Sequence, residues 1–137
     1  MSVVKIEDAF TEAAGKGDVE TLATLLEQGA EVNDTDVGNE GYAALQVAAK
    51  KGQYEAVEYL LHNEANVNQR DSDGFSALHE AAFLGYEDIA RLLLRWGADK
   101  TFVSSEGTTA LQLAVRHGHG VIAYMLAEGH SVQRGFY

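Results

Sequence analysis

The apolar positions of this chain come in short bursts separated by glycines. In "DGFSALHEAAFLGYEDIARLLLRWGAD", residues 73–99, Leu78, Ala81 and Ala82 stand at helical spacing, and beyond Leu84-Gly85-Tyr86 so do Ile89, Leu92 and Leu93. Spacing of i, i+3, i+4 puts each trio on one helix face, so the stretch predicts two short helices with a stop between them. Glycine suits that stop, because a left-handed residue costs little without a Cβ. Ser76 is placed to cap the first helix, and further along Thr109 with Gln112 has the spacing of a capping box. Helices this short do not hold in water by themselves and need neighbours.

The neighbours are copies of the same phrase. Gly41, Gly74 and Gly107 lie 33 residues apart, as do Gly52, Gly85 and Gly118. The first set opens "GYAALQVAAKKG", "GFSALHEAAFLG" and "GTTALQLAVRHG"; the second is followed by "EAVEYLL", "EDIARLLL" and "GVIAYMLA". An earlier copy, "AFTEAAGKGDVETLATLLEQGAEVN", aligns with a shift of 35, which makes the connection around Asp34–Asn39 about two residues longer. Four copies of one helix–turn–helix unit predict a stacked array.

The phrase resembles the ankyrin repeat over roughly Ile6 to Val132. The family's glycine, threonine-proline-leucine-histidine and alanine pair appear here as Gly74-Phe75-Ser76-Ala77-Leu78-His79 with Ala81-Ala82, and "LLEQGAEVN" and "LLRWGAD" match its repeat ending. This chain departs from the pattern where Ala44, Ala77 and Ala110 stand for proline, Gln46 and Gln112 for histidine, and Glu64 for the closing glycine. The resemblance implies an all-α ankyrin-repeat solenoid of four helix-turn-helix units with short hairpin loops. It would form a single domain over 1–137, with repeats near 3–35, 36–70, 71–103 and 104–137. By the same resemblance, His79 ties its own loop by hydrogen bonds.

Bulk composition narrows the partner. The 137 residues carry a formal net charge of −11, with 21 acidic against 10 basic side chains. Phosphate backbones and anionic membranes are bound chiefly by Lys and Arg, so the charge argues against both and favours a protein partner with a basic surface. No apolar run approaches the ~20 residues of a membrane helix, and "MSVVKIEDAF" lacks the pattern of a secretory signal. The absence of cysteine excludes disulfides and thiolate metal sites and fits a cytoplasmic or nuclear protein.

Catalytic and metal readings find little support. His79-Glu80 lacks the second histidine of a zinc helix, Phe83 standing in its place, and His117–His119 is a pair without further ligands. Gly15–Gly17 follows a helix and is too short to cradle a phosphate. Glu87-Asp88 opens a helix, where acids answer the dipole. No nucleophile can be set beside a base, so no enzyme and no cofactor are expected.

Binding is expected at positions that vary between copies yet point outward. If the units stack as ankyrin repeats do, first helices and hairpin tips line one concave face. The tips offer Glu40, Asp73 and Glu106 before the glycine and Tyr42, Phe75 and Thr108 after it. The first helices add Glu80 and, just before each stop, Lys50-Lys51, Phe83-Leu84 and Arg116-His117, with Lys16 in the first copy. Charged residues stand at the positions of Phe83-Leu84 in both neighbouring copies, so this pair reads as an exposed hot spot and not as core; the alternative is that Phe83 covers its neighbours' helix ends. The resemblance also places Asn33 and Asn68 at the asparagine that some ankyrin proteins present to a hydroxylase; the alternative is that both hold turns.

The ends differ from the middle. Thr21 and Thr24 replace the apolar Ala56/Ile89/Ile122 and Tyr59/Leu92/Met125 series and make the first copy a polar cap. In the last copy Val121 and Tyr124 stand where Glu55/Asp88 and Glu58/Arg91 precede them. Val121, Ile122, Tyr124 and Met125 therefore predict an apolar end patch, covered by Phe136 and Tyr137 folding back, by a second molecule or by a further repeat. The leading expectation is a monomeric adaptor or steric inhibitor. The alternative is a segment of a longer array or of a homo-oligomer capped through the last repeat.

Overall fold

The computed structural model describes residues 5–36 and 41–127. Glu40 at the first tip, and Phe136 and Tyr137, expected to cover the far end, lie outside the described residues. Four helix pairs follow one another: α1 (Ile6–Lys16) and α2 (Val19–Glu27), α3 (Ala44–Lys50) and α4 (Tyr54–His62), α5 (Ala77–Leu84) and α6 (Glu87–Arg95), α7 (Ala110–Arg116) and α8 (Gly120–Ala127). Helix boundaries match the trios read from the sequence, and Leu78, Ala81, Ala82, Ile89, Leu92 and Leu93 are all buried.

Helices α1, α3, α5 and α7 pack side by side as one layer, and α2, α4, α6 and α8 form a second. The alanines at the centre of the first layer, among them Ala14, Ala48, Ala81 and Ala114, are fully buried. A side chain no larger than a methyl lets neighbouring backbones approach, which is why three copies carry an alanine pair here and the fourth keeps Ala114 beside Val115. Larger apolar side chains, Phe10, Leu22, Leu60, Leu93, Ile122 and Met125, fill the space between the layers.

Each first helix is entered through a short hairpin. Strand β1 (Thr35–Asp36) pairs antiparallel with β2 (Tyr42–Ala43), and single bridges Arg70–Ser76 and Val103–Thr109 repeat the arrangement. The first hairpin is two residues longer than the others, as the alignment shift required. Ser76 and Thr109 cap α5 and α7 as expected, accepting from the N–H groups of His79 and Gln112.

Two turns show the backbone cost directly. Gly85 closes α5 at φ 83°, and its N–H and that of Tyr86 both donate to the Ala81 carbonyl, at 2.9 and 3.0 Å. A Cβ there would also lie 2.6 Å from the His119 ring. Glu64 ends the second helix of its repeat at φ 70°, where Gly97 serves the next copy at φ 87°; among the described residues Glu64 is the one non-glycine with positive φ.

The end patch needs a correction. Ile122 and Met125 are not bare: they are 0% and 1% exposed and belong to the core, as their counterparts Ile89 and Leu92 do. What α8 exposes is Val121 and Tyr124, at 49% and 61%. The polar start holds, with Thr24 exposed and Thr21 half-buried.

Candidate functional site

The tips are held in place by a ladder of polar contacts between successive repeats. The Ser76 N–H donates to His79 Nδ1 at 3.1 Å, so the ring proton sits on Nε2, which donates to the Thr108 carbonyl of the next hairpin at 3.2 Å. Burial holds this imidazole below the usual histidine range, outweighing the backbone hydrogen bonds that would raise it. Gln46 reproduces the same bridge without a titratable group: its Oε1 accepts from Ala43 N–H at 2.9 Å and its Nε2 donates to the Phe75 carbonyl at 2.8 Å. Histidine therefore ties two loops, its own and its neighbour's.

On this frame the predicted residues divide. Phe83 and Leu84, at the end of α5, are 43% and 38% exposed. The Phe83 ring meets the His117 ring edge to face at 4.5 Å, so it leans on the end of α7 while leaving part of its surface open. Tyr42 does not project from its tip. It is buried, because its ring packs back toward α3 with the Lys50 ammonium 5.0 Å from its centroid. Phe75 is half-buried and stacks edge-on to His79 at 5.6 Å, whereas Asp73 and Glu106 are exposed. Thr108 is half-buried and spends its carbonyl on His79.

Tyr42, Lys50, Asp73, Phe75, His79, Glu80, Phe83 and Leu113 line one cavity of about 330 Å3 that spans three repeats. Asp73 and Phe75 also wall a second cavity of about 320 Å3, shared with Ser104, Ser105 and Glu106. Glu80 is half-buried, and desolvation lifts its carboxyl above the usual range despite the nearby Lys50 charge. Among the described residues no cation stands within ion-pair distance of Glu80; the pairs formed are Lys16–Glu12 and Arg91–Asp88.

Other predicted positions fall elsewhere. Lys51 lines a third cavity near α1, with Lys16, Asp8 and Glu12. Arg116 and His117 are exposed at the end of α7. The His117–His119 pair is divided: His119 Nε2 bonds the Phe83 carbonyl at 3.0 Å, and among the described residues no group of three metal-ligating side chains forms. Asn33 and Asn68 each receive an N–H from the following repeat, from Asn66 at 2.6 Å and Asp99 at 2.8 Å, so both side chains bridge copies.

A model of ankyrin repeats in three copies matches residues 10–103 and again 73–135. The chain belongs to the ankyrin-repeat family. It is 47% identical over 60 residues to human "Arf-GAP with coiled-coil, ANK repeat and PH domain-containing protein 3", a match covering 44% of this chain and 7% of that protein. It is 40% identical over 60 residues to human "Ankyrin repeat and KH domain-containing protein 1", covering 44% of this chain and 2% of that protein. The chain thus spans a small fraction of the length of either relative. Ankyrin repeats are general protein–protein interaction modules. Among the described residues no helix is long and apolar enough to cross a membrane.

Sequence reading missed two sets of ankyrin scaffold residues that aim this site. Asp71 is buried and its Oδ1 accepts from Asp73 and Phe75 N–H at 2.8 and 3.0 Å; Ser104 does the same for Glu106 and Thr108 at 3.3 and 3.1 Å. Both stand 33 residues apart and could have been found by asking which hairpin positions stay short and polar. Gln53 and His119 reach back to bond the Gly15 and Phe83 carbonyls at the end of the preceding first helix. The position reads Gln53, Tyr86 and His119 in successive copies, so no single residue type marks this hook.

Proposed function

We propose that this ankyrin domain binds a protein or peptide on the face formed by its hairpin tips and first helices, acting as an adaptor or steric inhibitor without catalysis of its own. The observation that carries the reading is the partly open Phe83–Leu84 pair beside a cavity walled by Phe75. An aromatic left 43% exposed at the rim of a concave, mostly apolar site has the character of an interface anchor. The charge of −11 favours a basic partner and a monomer kept apart by self-repulsion.

Affinity for a partner captured from the native cell tests this. Phe83→Ala and Phe75→Ala, each checked for unchanged helicity, should lose about 2 kcal/mol or more of binding, roughly thirtyfold. Unchanged affinity in both variants refutes the reading.

A second reading is supported by Val121 and Tyr124. Their exposure on α8 suits contact with a further repeat or a second copy. It predicts that the partner's footprint falls on α8 and leaves the α5 face open.

A further inference from the structure

The cavity at the centre of the proposed binding face combines features that select one kind of side chain. Its walls are aromatic: Phe75 from the tip and Phe83 from α5, with Tyr42 beneath. Its charged groups are Asp73 and Glu80 against a single ammonium, Lys50. Lys50 is itself exposed and lies 5.0 Å over the Tyr42 ring, and it makes no ion pair with either carboxylate. Glu80 is therefore a half-buried carboxylate whose lost hydration no ion pair replaces, Lys50 acting on it only from beyond ion-pair distance. His79, held neutral by burial, adds no positive charge.

An apolar occupant would complete the desolvation of Glu80 and leave it unpaired, which is costly. An acidic occupant would be repelled by both carboxylates. A cation with a flat apolar body meets both demands, because it lies against aromatic faces and donates to carboxylates at its edge. Guanidinium suits this better than ammonium: it is planar, weakly hydrated and carries several donors in a fixed fork. A volume of about 330 Å3 leaves room for such a side chain. The adjoining cavity, with Asp73 and Glu106, extends the same acidic character along the tips.

We propose that this cavity receives an arginine side chain of the protein partner, with its guanidinium against Phe83 and Phe75 and its donors on Glu80 and Asp73. The inference rests on the binding face proposed above and names the chemistry that face recognises.

The probe is a set of immobilised, degenerate acetylated nonapeptide pools, each with one fixed central residue: arginine, lysine, citrulline, leucine or glutamate. Citrulline keeps the shape of arginine without its charge. Wild type should bind the arginine pool about tenfold better than the citrulline pool, equivalent to ~1.4 kcal/mol. Glu80→Gln should bring arginine down to the citrulline level. Asp73→Asn, at an exposed tip, should lower it partially and serves as the second variant if Glu80→Gln loses helicity. Several results overturn the proposal: equal arginine and citrulline binding, lysine equal to arginine, or full arginine binding in a folded Glu80→Gln. A leucine pool that wins and is lost in Phe83→Ala would sink the arginine assignment while leaving the binding face standing. If no pool distinguishes wild type from Phe83→Ala, both fall.

Discussion

Single residues decide how each tip is set, and His79 shows the logic most clearly. Its imidazole replaces two hydration contacts with the Ser76 amide and the Thr108 carbonyl, and it must be neutral to accept at Nδ1. Because folding lowers its pKa, the folded chain binds fewer protons than the unfolded one as pH falls through the ordinary value of 6.5. The stability it contributes is complete above that value and is lost as pH falls through the lowered one. Gln46 makes the equivalent bridge with no proton to gain. Thermal melting of His79→Gln should therefore match wild type within about 1 kcal/mol at neutral pH and fall less on moving to about pH 5. An unchanged pH slope would contradict this account. The role of His79 was legible through family resemblance. Its reach into the next repeat was not, because nothing within one copy names the acceptor. The exposure of Tyr42 was misread for a different reason: its position on a tip suggested a projecting ring, and packing toward α3 of its own repeat buries it.

At the scale of the element, short helices persist because both ends are closed and one face is covered. The trios, the Ser76 and Thr109 caps and the helix-ending glycines were all readable, since periodicity and capping are local properties. The exception tests the rule. Glu64 holds a left-handed conformation that its neighbours give to glycine, at a cost of about 1–2 kcal/mol. Glu64→Gly should recover roughly 0.5–1 kcal/mol after the greater freedom of glycine in the unfolded chain is subtracted, and should raise the melting temperature by a few degrees. The carbonyl that accepts from Asn33 belongs to the backbone, so that contact survives the change. A lower melting temperature would mean the Glu64 side chain contributes something its geometry does not reveal. Helix α8 was harder to read, because an apolar sequence does not say which residues turn inward. Ile122 and Met125 complete the core, and of the four residues read as a patch Val121 and Tyr124 are left outside it.

For the whole molecule, stacking separates two roles that the sequence mixes. Residues that recur at the period build the layers, and those that vary at the tips and first-helix ends are the ones proposed to meet the partner. The candidate face was thus legible as a set of variable positions. Its cavity was not, since Tyr42, Glu80 and Leu113 come from three different repeats and meet only after folding. On the proposed binding mode the two helix layers differ in role, and hydrogen exchange of this chain with and without its captured partner separates them. Protection should appear at the tips around Asp73–Phe75 and at the ends of α5 and α7, with α4 and α6 exchanging as in the free protein. Protection concentrated on α8 around Val121 and Tyr124, with the α5 face unchanged, would contradict it.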